Sequence, residues 1–259
     1  MFSLNHKNAL ITGATGHLGH VMSMALAEAG AHVFLCARNK EKLEKLAVSI
    51  AQNGGKATVI EADLSELTAA DNVINLLRKK INALDVLVNN AYWGTAATIE
   101  TAEMSSFQSA DLLSVQVPFR LVQQAMDLLI QPSSGSSVIN IASMYASVSP
   151  DPRLYGESGQ NNPPYYGAAK AGMLQLTRYL ACHLASKNIR VNAISPGPFP
   201  NPSVQGSHPE FAKHLSEKVP LARLGEPKEL IGPLLFLASE ASSYVTGINL
   251  PVDGGWTAW

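Results

Sequence analysis

The chain has 259 residues, of which 46% are hydrophobic and 15% charged, and its net charge is −1. That is too apolar for a disordered chain and too balanced for a nucleic-acid surface, and the lone basic cluster Arg78-Lys79-Lys80 reads as a solvated helix face. No apolar run approaches the roughly 20 residues that span a bilayer. Cys36 and Cys182 lie outside any metal-ligand spacing and read as buried free thiols in a reduced compartment. Met1–Lys7 lacks a signal-peptide pattern, so a soluble, cytoplasmic protein without a metal is expected.

The predicted elements alternate along the chain. Asn8–Ile11 reads as a strand and Leu18–Ala29 as a helix closed by Gly30. His32–Cys36 is a strand, and Lys40–Gln52 a helix stopped by Asn53-Gly54-Gly55. Strand Thr58–Glu61, helix Glu66–Ile81 and strand Val86–Asn89 follow, then one long helix, Met104–Ile130, containing Pro118. Beyond it come strand Ser137–Ile141, helix Tyr166–Ser186, strand Arg190–Ile194, helix Lys228–Ala238 and strand Ile248–Val252. The strands are short apolar blocks, as strands buried on both faces should be. This pattern predicts an α/β fold: a doubly wound, Rossmann-type parallel sheet in three αβα layers, one domain over residues 1–259. Two Pro/Gly/Ser/Asn-rich loops, 144–164 and 196–209, are long enough to be functional; the second extends the candidate substrate region to about 220.

Thr12-Gly13-Ala14-Thr15-Gly16-His17-Leu18-Gly19 falls between the first strand and the first helix. Glycines there permit a tight turn and close approach of backbone to a pyrophosphate, and the helix N-terminus offers free N–H groups. Gly13, Thr15, Gly16, His17, Leu18 and Gly19 are therefore candidate cofactor residues. The second strand ends without a carboxylate, and Arg38 follows. Its planar guanidinium can pair with a 2′-phosphate, which favours NADP(H) over NAD(H), the latter remaining possible; the alternative is stacking on adenine. Asp63 and Leu64 follow the third strand, within reach of an adenine edge.

Tyr166-Gly-Ala-Ala-Lys170 sets a phenol and an ammonium four residues apart on one helix face. An adjacent cation is expected to lower the phenol pKa toward the working range, making an acid/base pair.

In chain order, the glycine turn, Asp63-Leu64, Asn89-Asn90-Ala91, Asn140-Ile141-Ala142-Ser143, Tyr166-x-x-x-Lys170, Pro196-Gly197, and the tail of Arg223-x-Gly225-x-Pro227 with Val252-Asp253-Gly254-Gly255 resemble the short-chain dehydrogenase/reductase family. The resemblance covers the whole chain. It implies hydride transfer with Tyr166 as general acid or base, Ser143 polarising the substrate oxygen, and Lys170 lowering the tyrosine pKa and holding the nicotinamide ribose. Asn90 and Ala91 would line the cofactor cleft, and Pro196 and Gly197 would lie against the nicotinamide. It also implies a homo-oligomer, tetramer or dimer, with the helix faces of 112–129 and 173–184, or Trp256 and Trp259 of the tail, as contact candidates; core packing explains the helix faces equally well.

Four departures stand out. His17 occupies a usual glycine position, where it either touches a phosphate or is simply exposed. Tyr92 replaces the glycine that usually follows Asn-Asn-Ala, and should narrow the cleft or wall it. Ser114 falls where a relay asparagine is usual, and either joins the relay or satisfies a local backbone group. Ser143 and Tyr166 are 23 residues apart, longer than usual, and the inserted loop carries Tyr145, Asp151, Arg153, Tyr155, Asn161 and Asn162. That loop either reads a polar substrate or packs on a neighbouring subunit.

The expected function is an NAD(P)(H)-dependent oxidoreductase acting on a small carbonyl or alcohol, with a polyhydroxylated substrate suggested by the polar loop. The competing readings are a dinucleotide sensor or scaffold with little turnover, and a carrier-bound 3-oxoacyl reductase, for which no basic docking patch is visible.

Overall fold

The computed structural model describes residues 2–156 and 158–259. Seven parallel strands form one sheet: β1 (Asn8–Thr12), β2 (His32–Ala37), β3 (Lys56–Glu61), β4 (Val86–Asn89), β5 (Ser136–Ile141), β6 (Ile189–Pro196) and β7 (Asn249–Val252). Their order is β3-β2-β1-β4-β5-β6-β7. The order reverses at β1, whose neighbours are β2 (Thr12 opposite Cys36) and β4 (Ile11 opposite Val88). Connections leave the C-terminal ends of β1 and β4 in opposite directions, which opens a crevice there.

Both faces of the sheet are covered, so successive strand residues are buried alternately against different helices. Leu10 and Phe34 pack with α3 (Leu67–Arg78), α5 (Val117–Gln124) and α7 (Pro164–Leu184). Ile11, Val33 and Leu35 pack on the other face with α1 (His17–Glu28), α2 (Lys40–Gln52) and α10 (Ile231–Ala238). Each such side chain contributes about 1.5–3 kcal/mol of burial, which is why both parities of the strand are apolar.

The expected helix Met104–Ile130 is broken into α4 (Met104–Asp111), a π-helical turn at Leu112–Gln116, α5 and α6 (Met126–Leu129). Pro118 is the cause: it lacks the N–H that would serve the Ser114 carbonyl four residues back, and its ring crowds that carbonyl. The expected loop after β6 holds two helices, α8 (Pro202–Ser207) and α9 (Pro209–Lys218). Each begins with proline, pre-set for a first helical turn; the prolines that suggested loop are helix starts. Cys36 is buried and free, but Cys182 is exposed, on the outer side of α7. Among the described residues no helix is long and apolar enough to cross a membrane, and no His/Cys/Asp/Glu cluster could hold a metal.

Candidate active site

The turn after β1 is closed by its own glycines. Gly13 adopts φ +64°, and a Cβ on Gly19 would collide with the Gly13 carbonyl, so α1 can start this close to the strand only with hydrogen at that position. Asn90 braces the turn from β4, its Nδ2 donating to the carbonyls of Thr12 (3.0 Å) and Gly13 (3.1 Å). The Ala91 N–H donates to Thr12 Oγ1 at 3.0 Å. Gly16 caps α1 without a side-chain hydrogen bond, so the helix N-terminus keeps its donors and positive dipole end for an anion.

This turn borders a cleft of about 830 Å³. Gly13, Thr15, Gly16, His17, Leu18 and Gly19 line one side. Arg38, Asp63 and Leu64 line the far end, and Asn90 and Ala91 the floor beside β4. The structure thus brings eleven of the sequence-predicted cofactor residues together. His17 is not simply exposed: it is half-buried in the cleft, its Nε2 is buried without a partner among the described residues, and burial lowers its pKa.

Lys42, which sequence reasoning missed, lines the same end as Arg38. Neither cation lies within ion-pair distance of a described carboxylate. A signal existed: lysine in the first turn of α2 opposes the helix dipole, an arrangement with a purpose if an anion sits there. Asp63 is held below the usual carboxylate range, first by the Ser65 N–H and less by Arg38.

Pro196 and Gly197 are not in the lining of this cleft. Gly197 lies flat against Asp253, whose Cα would be 2.5 Å from an added Cβ, and its N–H donates to the Val252 carbonyl at 2.9 Å.

The catalytic candidates meet at the C-terminal ends of β4 and β5. Ser143, 5% exposed, follows β5; its hydroxyl accepts from the Tyr145 N–H at 3.1 Å and lies near enough to the Tyr166 phenol to bear on its pKa. Lys170 is 3% exposed and donates to the Ile141 carbonyl at 2.7 Å. Here the structure corrects an expectation. Burial raises the Tyr166 pKa, opposed only by the Ser143 hydrogen bond, and Lys170 does not lower it. The ammonium is aimed at the Ile141 carbonyl, 5.9 Å from the centre of the Tyr166 ring, and burial brings its own pKa down to about 7.

Tyr92 is the wall its position suggested. Its ring meets the Tyr166 ring edge-on at 4.9 Å, and the Lys170 Nζ stands 5.0 Å over its face. Gly94 makes room for it, since a Cβ there would come within 2.8 Å of the Tyr92 hydroxyl. Ser114 sits in the π turn, fully buried, with no partner for its hydroxyl among the described residues, which overturns the reading that it satisfies a local backbone group. Behind this group a buried amide chain ties the elements together: Asn89 donates to Asn140 (2.8 Å), and Asn140 to Thr177 of α7 (2.9 Å).

The inserted loop is fastened to α9. Asp151 accepts from Arg153 (2.8 Å) and Lys218 (3.0 Å), so it stays ionised well below the ordinary range. Tyr155 stacks on Phe211 at 5.7 Å, and Lys218 lies 5.3 Å over Trp256. Asp151 and Arg153 are therefore engaged with each other and with α9. Trp256 is buried inside the chain beside Tyr145, whereas Trp259 is exposed. Tyr145, Tyr155, Asn161 and Asn162 line a second, open chamber that begins at Met144, the residue after Ser143.

Comparison with known proteins decides the family. A family model described as Enoyl-(Acyl carrier protein) reductase matches residues 13–257. The chain belongs to the short-chain dehydrogenase/reductase family. It is 34% identical to the rhamnolipids biosynthesis 3-oxoacyl-[acyl-carrier-protein] reductase of Pseudomonas aeruginosa, over 98% of both chains. It is 35% identical to a ribulose-forming D-arabinitol 2-dehydrogenase of Candida albicans, over 100% of this chain and 95% of that one. Among solved structures it resembles the Pseudomonas aeruginosa RhlG/NADP active-site complex, at 33% identity and a TM-score of 0.90, covering 99% of this chain and 98% of that chain.

Proposed function

We propose that this short-chain dehydrogenase/reductase transfers a hydride between NADP(H) and a small carbonyl or alcohol, with Tyr166 exchanging the proton of the substrate oxygen. The observation that carries the reading is the convergence of Ser143, Tyr166 and buried Lys170 beside a cleft whose far end bears two cations that have no carboxylate partner among the described residues. The residues present suit a dinucleotide phosphate: an uncapped helix N-terminus, an unpartnered buried His17 nitrogen, and Arg38 with Lys42. Both D-arabinitol and NADP appear in the names of its relatives.

The α1 amides and Thr15 would hold the pyrophosphate, Arg38 and Lys42 a 2′-phosphate, and Asp63 and Leu64 the adenine. Asn90, Ala91, Pro196 and Gly197 would border the nicotinamide, which when bound supplies or accepts the hydride. NAD(H) remains the second cofactor. Ser143 donates to the substrate oxygen and orients it. Tyr166, whose raised pKa keeps the phenol protonated at neutral pH, gives its proton to the forming alkoxide in reduction and recovers it in oxidation. Lys170 would hold a proton behind it, and Ser114, whose hydroxyl has no partner among the described residues, would relay to that proton. One catalytic domain over residues 1–259 carries both cofactor and substrate, with 144–164 and 196–220 facing the substrate. Exposed Met104, Phe119 and Tyr179 on α4, α5 and α7 support assembly into a dimer or tetramer. A cytoplasmic setting suits the free thiols.

The test is titration with NADPH and NADH by nicotinamide fluorescence, followed by a carbonyl panel read as loss of NADPH absorbance. Tyr166→Phe should reduce turnover about 100-fold or more while still binding NADPH. Undiminished turnover in that variant overturns the mechanism; NADPH binding without turnover of any carbonyl in the unmodified protein supports the sensor reading instead.

A further inference from the structure

Beginning at Met144, the residue after Ser143, the inserted loop and the segment after β6 line an open chamber of about 270 Å³. That is at the small end for ligand pockets. Its polar lining is Tyr145, Tyr155, Gln160, Asn161 and Asn162. Phe199, Phe211 and Leu215 supply apolar walls. Among the described residues, no lysine, arginine, histidine or carboxylate lines it. The nearby cations are spent elsewhere: Lys218 and Arg153 both bond Asp151, and Arg153 is 87% exposed.

The polar groups of this lining are all neutral: the amides of Gln160, Asn161 and Asn162 and the phenols of Tyr145 and Tyr155. Asn161 uses its Nδ2 to donate to the Ala97 carbonyl at 2.8 Å, which fixes the direction of its amide and leaves the oxygen without a partner among the described residues. The Asn162 Oδ1 is buried and, like the Tyr155 hydroxyl, has no partner among the described residues. An amide oxygen only accepts, so each wants a hydrogen-bond donor. A substrate hydroxyl brings one; a carboxylate or phosphate oxygen does not. An anion here would meet only neutral groups and no cation among the described residues, so its charge would go uncompensated. Burial raises the Tyr145 and Tyr155 phenols, and the nearby Asp151 charge adds to the rise in both.

We infer that the chamber selects an uncharged, hydroxyl-bearing carbonyl or alcohol, a ketose or alditol in chemical class, through the amide oxygens of Asn161 and Asn162, and rejects sugar acids. This inference rests on the oxidoreductase reading above and narrows it to a substrate charge. The experiment uses the full chain with NADPH and pairs of equal carbon number: fructose against 5-ketogluconate, and a ketopentose against its keto acid, with cyclohexanone as a carbonyl lacking hydroxyls. The neutral sugar of each pair should have the higher kcat/KM by about tenfold or more. In Asn162→Leu the ratio of kcat/KM for ketose to that for cyclohexanone should fall about tenfold. Gln160→Arg, which places a cation in the lining, should move the acid-to-ketose ratio toward the acid, and it reports independently if the first variant fails to fold. Equal or better turnover of the acids, or an unchanged ketose-to-cyclohexanone ratio in folded Asn162→Leu, overturns the inference and leaves the oxidoreductase reading standing. Absence of turnover for every carbonyl, with NADPH still bound, overturns both.

Discussion

The two halves of this active site are built in different ways. The cofactor half is assembled at the ends of β1, β2 and β3 and held mainly by backbone, the glycine turn and an uncapped helix start, with one side-chain brace from Asn90 after β4. The substrate half is assembled from distant segments held by side chains: Asp151 to Lys218, Tyr155 to Phe211, Tyr145 to Trp256. Backbone geometry admits few substitutions, and it serves a ligand common to many enzymes. Side-chain clasps between loops can be exchanged freely, so they suit the part of the molecule that chooses among substrates. Lys170 and Tyr92 stand on the seam, with Tyr92 lining the cofactor cleft and touching Tyr166.

This division can be broken from either side. The largest effect should come from the seam. Burial lowers Lys170 from 10.5 to about 7, so folding opposes its protonation. At pH 6 the lysine is charged in both folded and unfolded chains, and the full burial penalty is present. Above about pH 7 the folded chain sheds the proton first, so the penalty shrinks until the unfolded pKa is reached. Lys170→Met should therefore stabilise the ligand-free protein at pH 6 by roughly 2–4 kcal/mol, allowing for the lost bond to Ile141, and progressively less toward pH 10. Denaturant unfolding across that range measures it; a gain independent of pH would contradict the assignment. The same variant should lose turnover.

Next in size is the cofactor half. Arg38→Leu should weaken NADPH binding by about 10- to 100-fold and leave NADH binding nearly unchanged, with Lys42→Leu giving the smaller loss. Fluorescence titration reads both. Equal losses for the two cofactors would mean that Arg38 stacks on adenine. Preference among carbonyls should not change in either variant if the halves are separable.

The smallest effect belongs to the loop clasp. Asp151→Asn should raise KM for the ketose by a few fold and leave NADPH affinity alone. In the unmodified protein the clasp persists through neutral pH, because Arg153 and then Lys218 hold the Asp151 carboxyl below its usual range; its contribution is lost only as strong acid protonates it. A change in NADPH affinity with Asp151→Asn would couple the halves and weaken the distinction between them.

Much of this molecule was written locally. The strand–helix alternation, the stop at Asn53-Gly54-Gly55 and the phosphate turn are readable because each depends on residues within a few positions of one another, where periodicity and backbone freedom act directly. Tyr166 and Lys170 were legible for the same reason, being one helical turn apart. Pro118 was visible too, and its effect on the Ser114 carbonyl followed from covalent geometry, although the long apolar pattern around it read as one helix. What required tertiary structure was the direction of side chains across segments. Helical spacing put Lys170 beside Tyr166, but the Ile141 carbonyl, supplied by β5, decided where the ammonium points and so removed its expected effect on the phenol. Asp151 and Arg153 looked like substrate readers until α9 brought Lys218 to them. The chain by itself determined the fold, the cofactor turn and the identity of the acid/base pair, because these rest on local backbone geometry; only the packed structure decided the charges of that pair and the polarity of the chamber, because burial and long-range partners set both.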